Sequence, residues 1–266
     1  MIRTALRDAL GRNPRLDGLF RRHLWSRIHF PEAELRLLDA LPAGSVDTAI
    51  DVGAALGSYA WVLGRKATRV ISYEPGETHG AWMAIAAAGS NVTVVRAAVG
   101  AAAGELDMFT ESEDVDGRHT ATLSTGNPVA QAPGVSVRKV PVVTLDGDLA
   151  DRLPPAARVD IVKIDVEGFE NAVLAGAAGV IARHRPLVIA EIEARHNTDY
   201  GDAFAQLRAA GYGVRFWRDG AYHSLDNDRL EPLQRLEDLA VRLEGRHGNY
   251  INNFVFQHPD SRIKLA

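Results

Sequence analysis

The sequence predicts an α/β protein: a mostly parallel seven-stranded sheet with an antiparallel last strand and helices on both faces. Three observations carry that expectation. Strand-like and helix-like segments alternate along most of the 266 residues, the pattern of a parallel sheet with crossover helices. The strands are near-continuous Val/Ile runs, as expected for burial on both sides. Near the end, "YGVRFWRDGAYHSL" and "NYINNFVFQ" read as antiparallel partners, with Asp219-Gly220 as a hairpin turn.

Along the chain, residues 1–40 come first, as a basic helical arm. Residues 1–30 hold seven arginines against Asp8 and Asp17, with apolar residues at roughly helical spacing. Such a segment suits packing on its own domain or on a second subunit; it is also compatible with contact at an anionic membrane surface. Residues 41–260 read as one domain. Expected strands are 46–52, 69–74, 91–97, 159–165, 186–193, 213–217 and 252–257. Expected helices are 57–65, 76–88, 168–183, 199–210 and 228–243. Residues 111–134, acidic and then small and polar, read as a long loop.

Composition removes several function classes. The chain has no cysteine, which excludes disulfides, thiolate catalysis and Cys-based metal sites. A net charge of −4 and an acidic stretch at 111–116 give no reason to expect nucleic acid. No apolar run approaches the length of a membrane span, and the first residues lack the apolar core of a signal peptide. A cytoplasmic protein is the expectation.

The chemistry begins at "IDVGAALGSYAWV", residues 50–62: a strand, two spaced glycines, then a helix. Ligands of open parallel sheets sit beyond the carboxyl ends of the strands. A dinucleotide fingerprint counted from Gly53 puts Ala55 and Ser58 where its second and third glycines belong, which speaks against NAD. Asp51 before the turn suits a ligand with a positive end, and S-adenosylmethionine carries a sulfonium and an ammonium. Glu74, closing the next strand in "ISYEP", sits where a carboxylate can accept both ribose hydroxyls. In "VDIVKIDVEGFENAVLAGA", residues 159–177, alternation puts Lys163, Asp165 and Glu167 on one face. Asp165 then emerges beside the Gly53 loop if the two strands are neighbours, and Lys163 reads as an ion-pair partner of a nearby carboxylate.

Taken together, "IDVGAALGSY", "SYEP", "TLD", "DIVKIDVEGFENAVLAGA" and the final "NNFVF" resemble the FkbM family of S-adenosylmethionine-dependent methyltransferases over about residues 46–257. The resemblance implies a class I methyltransferase (Rossmann-like) fold and methyl transfer, usually to a hydroxyl oxygen of a sugar, as in glycans and glycolipids, or of a natural product. It implies that Asp51, Gly53, Gly57 and Ser58 line the methionine part of the donor, that Glu74 holds the ribose, and that Asp165 lies close to the transferred methyl. Ala54, Leu56, Tyr59, Pro75 and Ala97 complete the expected donor site. The family often has Asn where this chain has Ala55.

Methyl transfer is an in-line displacement, and an alcohol attacks only as its proton leaves. The candidate bases are Asp165, Glu191 and His196, the last two from "AEIEARH" at the end of the fifth strand. Arg118 and His119 in the long loop, with Glu167 and Glu193, are expected to meet the acceptor. No spacing demands a metal, although a carboxylate pair with His196 is an arrangement able to hold Mg²⁺. An NAD-dependent oxidoreductase on the same architecture and a donor-binding module without catalysis are the alternatives.

Overall fold

The structure, a computed structural model, describes residues 32–111, 121–243 and 249–264. The first described helix is α1 (Ala33–Asp39), and β1 (Val46–Val52), α2 (Ser58–Gly64), β2 (Ala67–Tyr73), α3 (Glu77–Ala86) and β3 (Val92–Val95) follow. After an insertion come α4 (Leu145–Arg152), β8 (Val159–Ile164), α5 (Glu170–Gly176), α6 (Ala178–His184), β9 (Leu187–Glu191) and α7 (Tyr200–Ala209). The chain closes with β10 (Gly213–Arg218), β11 (Ala221–Ser224), α8 (Leu236–Leu243) and β12 (Asn253–Gln257).

The main sheet has the order β11-β10-β12-β9-β8-β1-β2-β3. Strands β3, β2, β1, β8 and β9 run parallel, and β12 is antiparallel to both β9 and β10. This is the expected α/β architecture. It holds eight strands rather than seven, because the Asp219-Gly220 turn (φ 52 and 81) delivers a further edge strand, β11. Apolar clusters cover both faces. Ile50, Val52, Val162 and Phe254 pack with α4–α7 on one side, and Ala49, Val70, Ile161 and Val255 with α1–α3 on the other. Leu35 and Leu38 of α1 belong to the second cluster, so this last part of the expected arm packs on the domain; residues 1–31 lie outside the described residues.

The chain departs from the expected elements in three places. Residues 98–143 contain a second sheet with the order β4-β7-β5-β6: β4 (Ala98–Val99), β5 (Gly104–Thr110), β6 (Ala121–Thr122) and β7 (Ser136–Val143). Its strands carry charges and Pro141 because only one face is buried, around Met108, Val140 and Val142. Part of the expected loop is therefore strand, and Pro128–Gln131 is a 3₁₀ turn. The expected helix 168–183 is two helices meeting at Ala177 (φ −111, ψ 5). There Gly176 packs so tightly that a Cβ would stand 2.0 Å from the Gly100 carbonyl oxygen. The expected helix 228–243 begins only at Leu236, since Pro232 bars a helix running through it.

Going out to β3 and returning to β8, the chain switches direction between β1 and β8. A crevice beyond the carboxyl ends of the strands is expected at that point.

Candidate active site

Beyond Val52 the chain turns sharply into α2, with Gly53 (φ 78) and Gly57 (φ 81) in the left-handed region. The Gly53 and Ala54 N–H groups both donate to the Tyr73 carbonyl, at 3.0 and 3.1 Å, tying the loop to β2. On the other side Asp165 N–H donates to Val52 O at 2.9 Å. Ala55 is also left-handed (φ 45), and its N–H donates to Glu74 Oε2 at 2.8 Å. Asn adopts this conformation more readily than Ala, which gives a backbone reason for the family's frequent Asn here. Ala55→Asn is expected to raise stability by up to about 1 kcal/mol, measured by denaturant unfolding; a loss of stability would contradict it.

A cavity of about 600 Å³ opens at the switch point. Gly53, Ala55, Tyr73, Glu74 and Pro75 form one end, and Asp165, Val166 and Glu167 the middle. Glu191, Glu193, Arg195 and Asn252 form the far end, while Val99, Met108, Ala121 and Leu123 of the insertion supply an apolar wall. The insertion also fixes the turn after β8. Thr122 Oγ1 and Asn127 Nδ2 donate to the Glu167 carbonyl at 2.7 and 2.6 Å. Gly168 (φ 90) lets that turn pass against His196, whose carbonyl oxygen a Cβ would approach to 2.3 Å.

The cavity wall is strongly acidic. Glu74 is buried and accepts from the N–H groups of Ala55 and Gly76, at 2.8 and 2.6 Å, one on each oxygen. Burial raises its pKa, and those two bonds oppose the rise. Each oxygen keeps a lone pair for a further donor. Asp165 has about a third of its side chain exposed (33%). Burial of the carboxyl pushes its pKa up to about 7 against the opposing charge of Lys163, with Glu167, Glu32 and Glu170 adding to the rise. Glu191 lies well above the usual carboxylate range, through burial first and then the charge of Asp165; it accepts from Asn252 Nδ2 at 2.5 Å. Burial works against ionisation of Glu193 too, but Arg195, Asn252 and His196 outweigh it and hold the carboxyl below its ordinary value. Glu193 also accepts from Tyr250 Oη at 2.9 Å.

Gly53, Glu74, Pro75, Asp165, Glu167, Glu191 and Glu193 thus share one cavity. Others lie elsewhere. Asp51 is 1% exposed beneath the loop rather than on the cavity wall. It accepts from the backbone N–H of Ala60, burial pushes its pKa up to about 7, and its Oδ2 has no hydrogen-bond partner among the described residues. Ala54, Tyr59 and Ala97 are buried in the core, Leu56 is 41% exposed at the surface, and Gly57 and Ser58 begin α2; none lines the cavity. His196, 8% exposed, stands behind the wall with Nδ1 against Glu167 Oε2. Arg118 and His119 lie outside the described residues. Sequence reasoning missed Glu32, His79, Arg195 and Asn252 on the wall. The stretches "AEIEARH" and "NNFVF" carried the signal for Arg195 and Asn252, whereas nothing marked Glu32, whose Oε2 accepts from Tyr59 Oη at 2.6 Å. Among the described residues, no three His, Asp or Glu side chains converge as a metal-ligand set, and no helix is long and apolar enough to cross a membrane.

Residues 51–214 match the family model described as the Methyltransferase FkbM domain. Among solved structures, an FkbM methyltransferase from Methylobacillus flagellatus KT is 15% identical with a TM-score of 0.47, over 82% of this chain and 45% of that one. The chain therefore spans less than half the length of that protein. A precorrin-6y C5,15-methyltransferase from Geobacter metallireducens GS-15 is 12% identical with a TM-score of 0.42, over 86% and 90% of the two chains. A precorrin 8w decarboxylase from Methanobacterium thermoautotrophicum is 14% identical with a TM-score of 0.40, over 87% and 92%. No curated protein matches the chain significantly.

Proposed function

The chain belongs to the FkbM methyltransferase family, and from that premise we propose that it transfers the methyl group of S-adenosylmethionine to a hydroxyl oxygen of a sugar or natural product. The observation that carries this reading is the pairing of Glu74 and Asp165 on either side of the Gly53 loop, in one acid-lined cavity. A donor with a sulfonium and an ammonium gains from such a wall, where opposite charges attract more strongly than in water. The free lone pairs of Glu74 suit two ribose hydroxyls. Pro75, Val99 and Met108 offer the apolar surface that a flat base needs.

When bound there, S-adenosylmethionine would supply an electrophilic methyl group, with S-adenosylhomocysteine as the leaving group. The protein's part is to position and to move one proton. Asp165, open to the cavity and titrating near neutrality, takes the hydroxyl proton as the oxygen attacks. Glu191 is held by Asn252 beside it. With Glu193 and Arg195 it gives the far end a set of donors and acceptors suited to a polyhydroxyl acceptor. The carboxylate-rich wall disfavours a nucleic-acid backbone as acceptor.

The test is transfer of labelled methyl from S-adenosylmethionine to a panel of nucleotide sugars, glycolipids and hydroxylated natural products, with the product's linkage assigned by NMR. An O-methyl product supports the reading. Methylation only at nitrogen or carbon overturns it.

A further inference from the structure

Lys163 has no role in the chemistry above, yet its placement needs a cause. Its side chain is 0% exposed near the carboxyl end of β8, and burying an ammonium costs several kcal/mol unless it is well paired. The Nζ donates to Asn253 Oδ1 at 2.8 Å, lies 3.8 Å from Asp165 Oδ2 and sits 4.7 Å from the centre of the Tyr59 ring. Asp51 is its register partner on β1. An apolar side chain would fill the same space without the desolvation cost, so the charge itself is what the site uses.

We infer that Lys163 is a positioning residue for Asp165: its buried ammonium, anchored by Asn253 and Tyr59, is the fixed positive charge beneath the cavity that lets Asp165 exist as a carboxylate beside its acidic neighbours. This rests on Asp165 acting as the base. Beside Tyr59 of α2 and Asn253 of β12, charged groups face this point from four places in the fold. They are Asp51 on β1, Glu32 and Glu34 at the start of α1, Glu191 on β9, and Glu167 and Glu170 after β8. All are acidic, and each makes the others harder to ionise. Burial lowers the Lys163 pKa, but Asp165, Glu191, Glu32 and Glu34 raise it further than burial lowers it, so the ammonium persists through neutral pH. Two residues further along, just past the end of β8, the Asp165 carboxyl lies 3.8 Å from that charge.

The experiment is a ¹³C NMR titration of aspartate side-chain carboxyls, with Asp165 assigned through Asp165→Asn. The wild-type resonance is expected to titrate near pH 7. Lys163→Met is expected to move its midpoint up by about one pH unit or more, and Lys163→Arg to restore most of that movement. Asn253→Ala, which keeps the lysine and removes its anchor, is expected to move it less in the same direction; it decides the matter if Lys163→Met does not fold. An unchanged midpoint in both Lys163→Met and Asn253→Ala overturns the inference. If the midpoint moves while Asp165→Asn leaves methyl transfer intact, the base assignment fails and only the electrostatic coupling stands.

Discussion

Gly53→Ala is expected to lower the thermal midpoint by roughly 6–12 °C, which corresponds to about 3 kcal/mol or more in a chain of this size. Two costs combine. At φ 78 an alanine is strained, by roughly 1–2 kcal/mol. Its Cβ would also stand 1.7 Å from the Asp165 carbonyl oxygen, a distance no packing tolerates. The backbone of β8 forms the other wall of the clash, so relief requires β1 and β8 to part where Asp165 N–H bonds Val52 O. The same movement carries Asp165 away from the loop. A differential scanning experiment checks the first effect, and a midpoint within a degree or two of wild type would contradict it.

Asp165→Asn is expected to slow methyl transfer roughly a hundredfold or more, the scale of a lost general base. The pH dependence is the sharper signature. A base must be ionised to accept a proton, so wild-type activity should rise with pH through about 7 and then level. The Asn variant, whose amide does not titrate, should show no such limb. Stability runs the opposite way. A carboxyl whose folded pKa is raised contributes stability that is present at low pH and lost as pH climbs through the folded value. Asp51 and Asp165, both pushed up to about 7 by burial, therefore make the fold less stable between about pH 4 and 7 as activity increases. Denaturant unfolding across that range should show a declining midpoint, and Asp165→Asn should make the decline shallower, leaving the part that Asp51 contributes. A variant with the wild-type rate and pH profile would remove Asp165 from the chemistry.

Local signals in the residues point to some of these features, and long-range packing sets the others. The ends of β1 and β8 could be read because Val/Ile runs stop at glycines, and alternation then set Asp165 on the face of Lys163, where the two stand 3.8 Å apart. Glu191 reached the cavity for the same reason. Asp51 did not, because alternation gives a face without saying which ligand or helix covers it, and α2 takes that face through Ala60. His196 lies beyond the strand, where no periodicity applies. Its turn, closed by His196 N–H to Glu193 O at 3.0 Å, sets the ring behind Glu167. The small sheet escaped notice because one buried face leaves only scattered apolar residues among charges. It nevertheless supplies an apolar wall of the cavity and the hydrogen bonds that hold the Glu167 turn.

In the function proposed above, the Gly53 loop, Glu74 and Asp165 together form a site for a methyl donor. Calorimetric titration with S-adenosylhomocysteine checks this, with NAD as the competing ligand and Glu74→Ala as the control. Micromolar binding is expected, absent for NAD and weakened at least about tenfold in the variant, since two hydrogen bonds to a charged group are lost. Binding of NAD alone, or of neither ligand, would contradict the account.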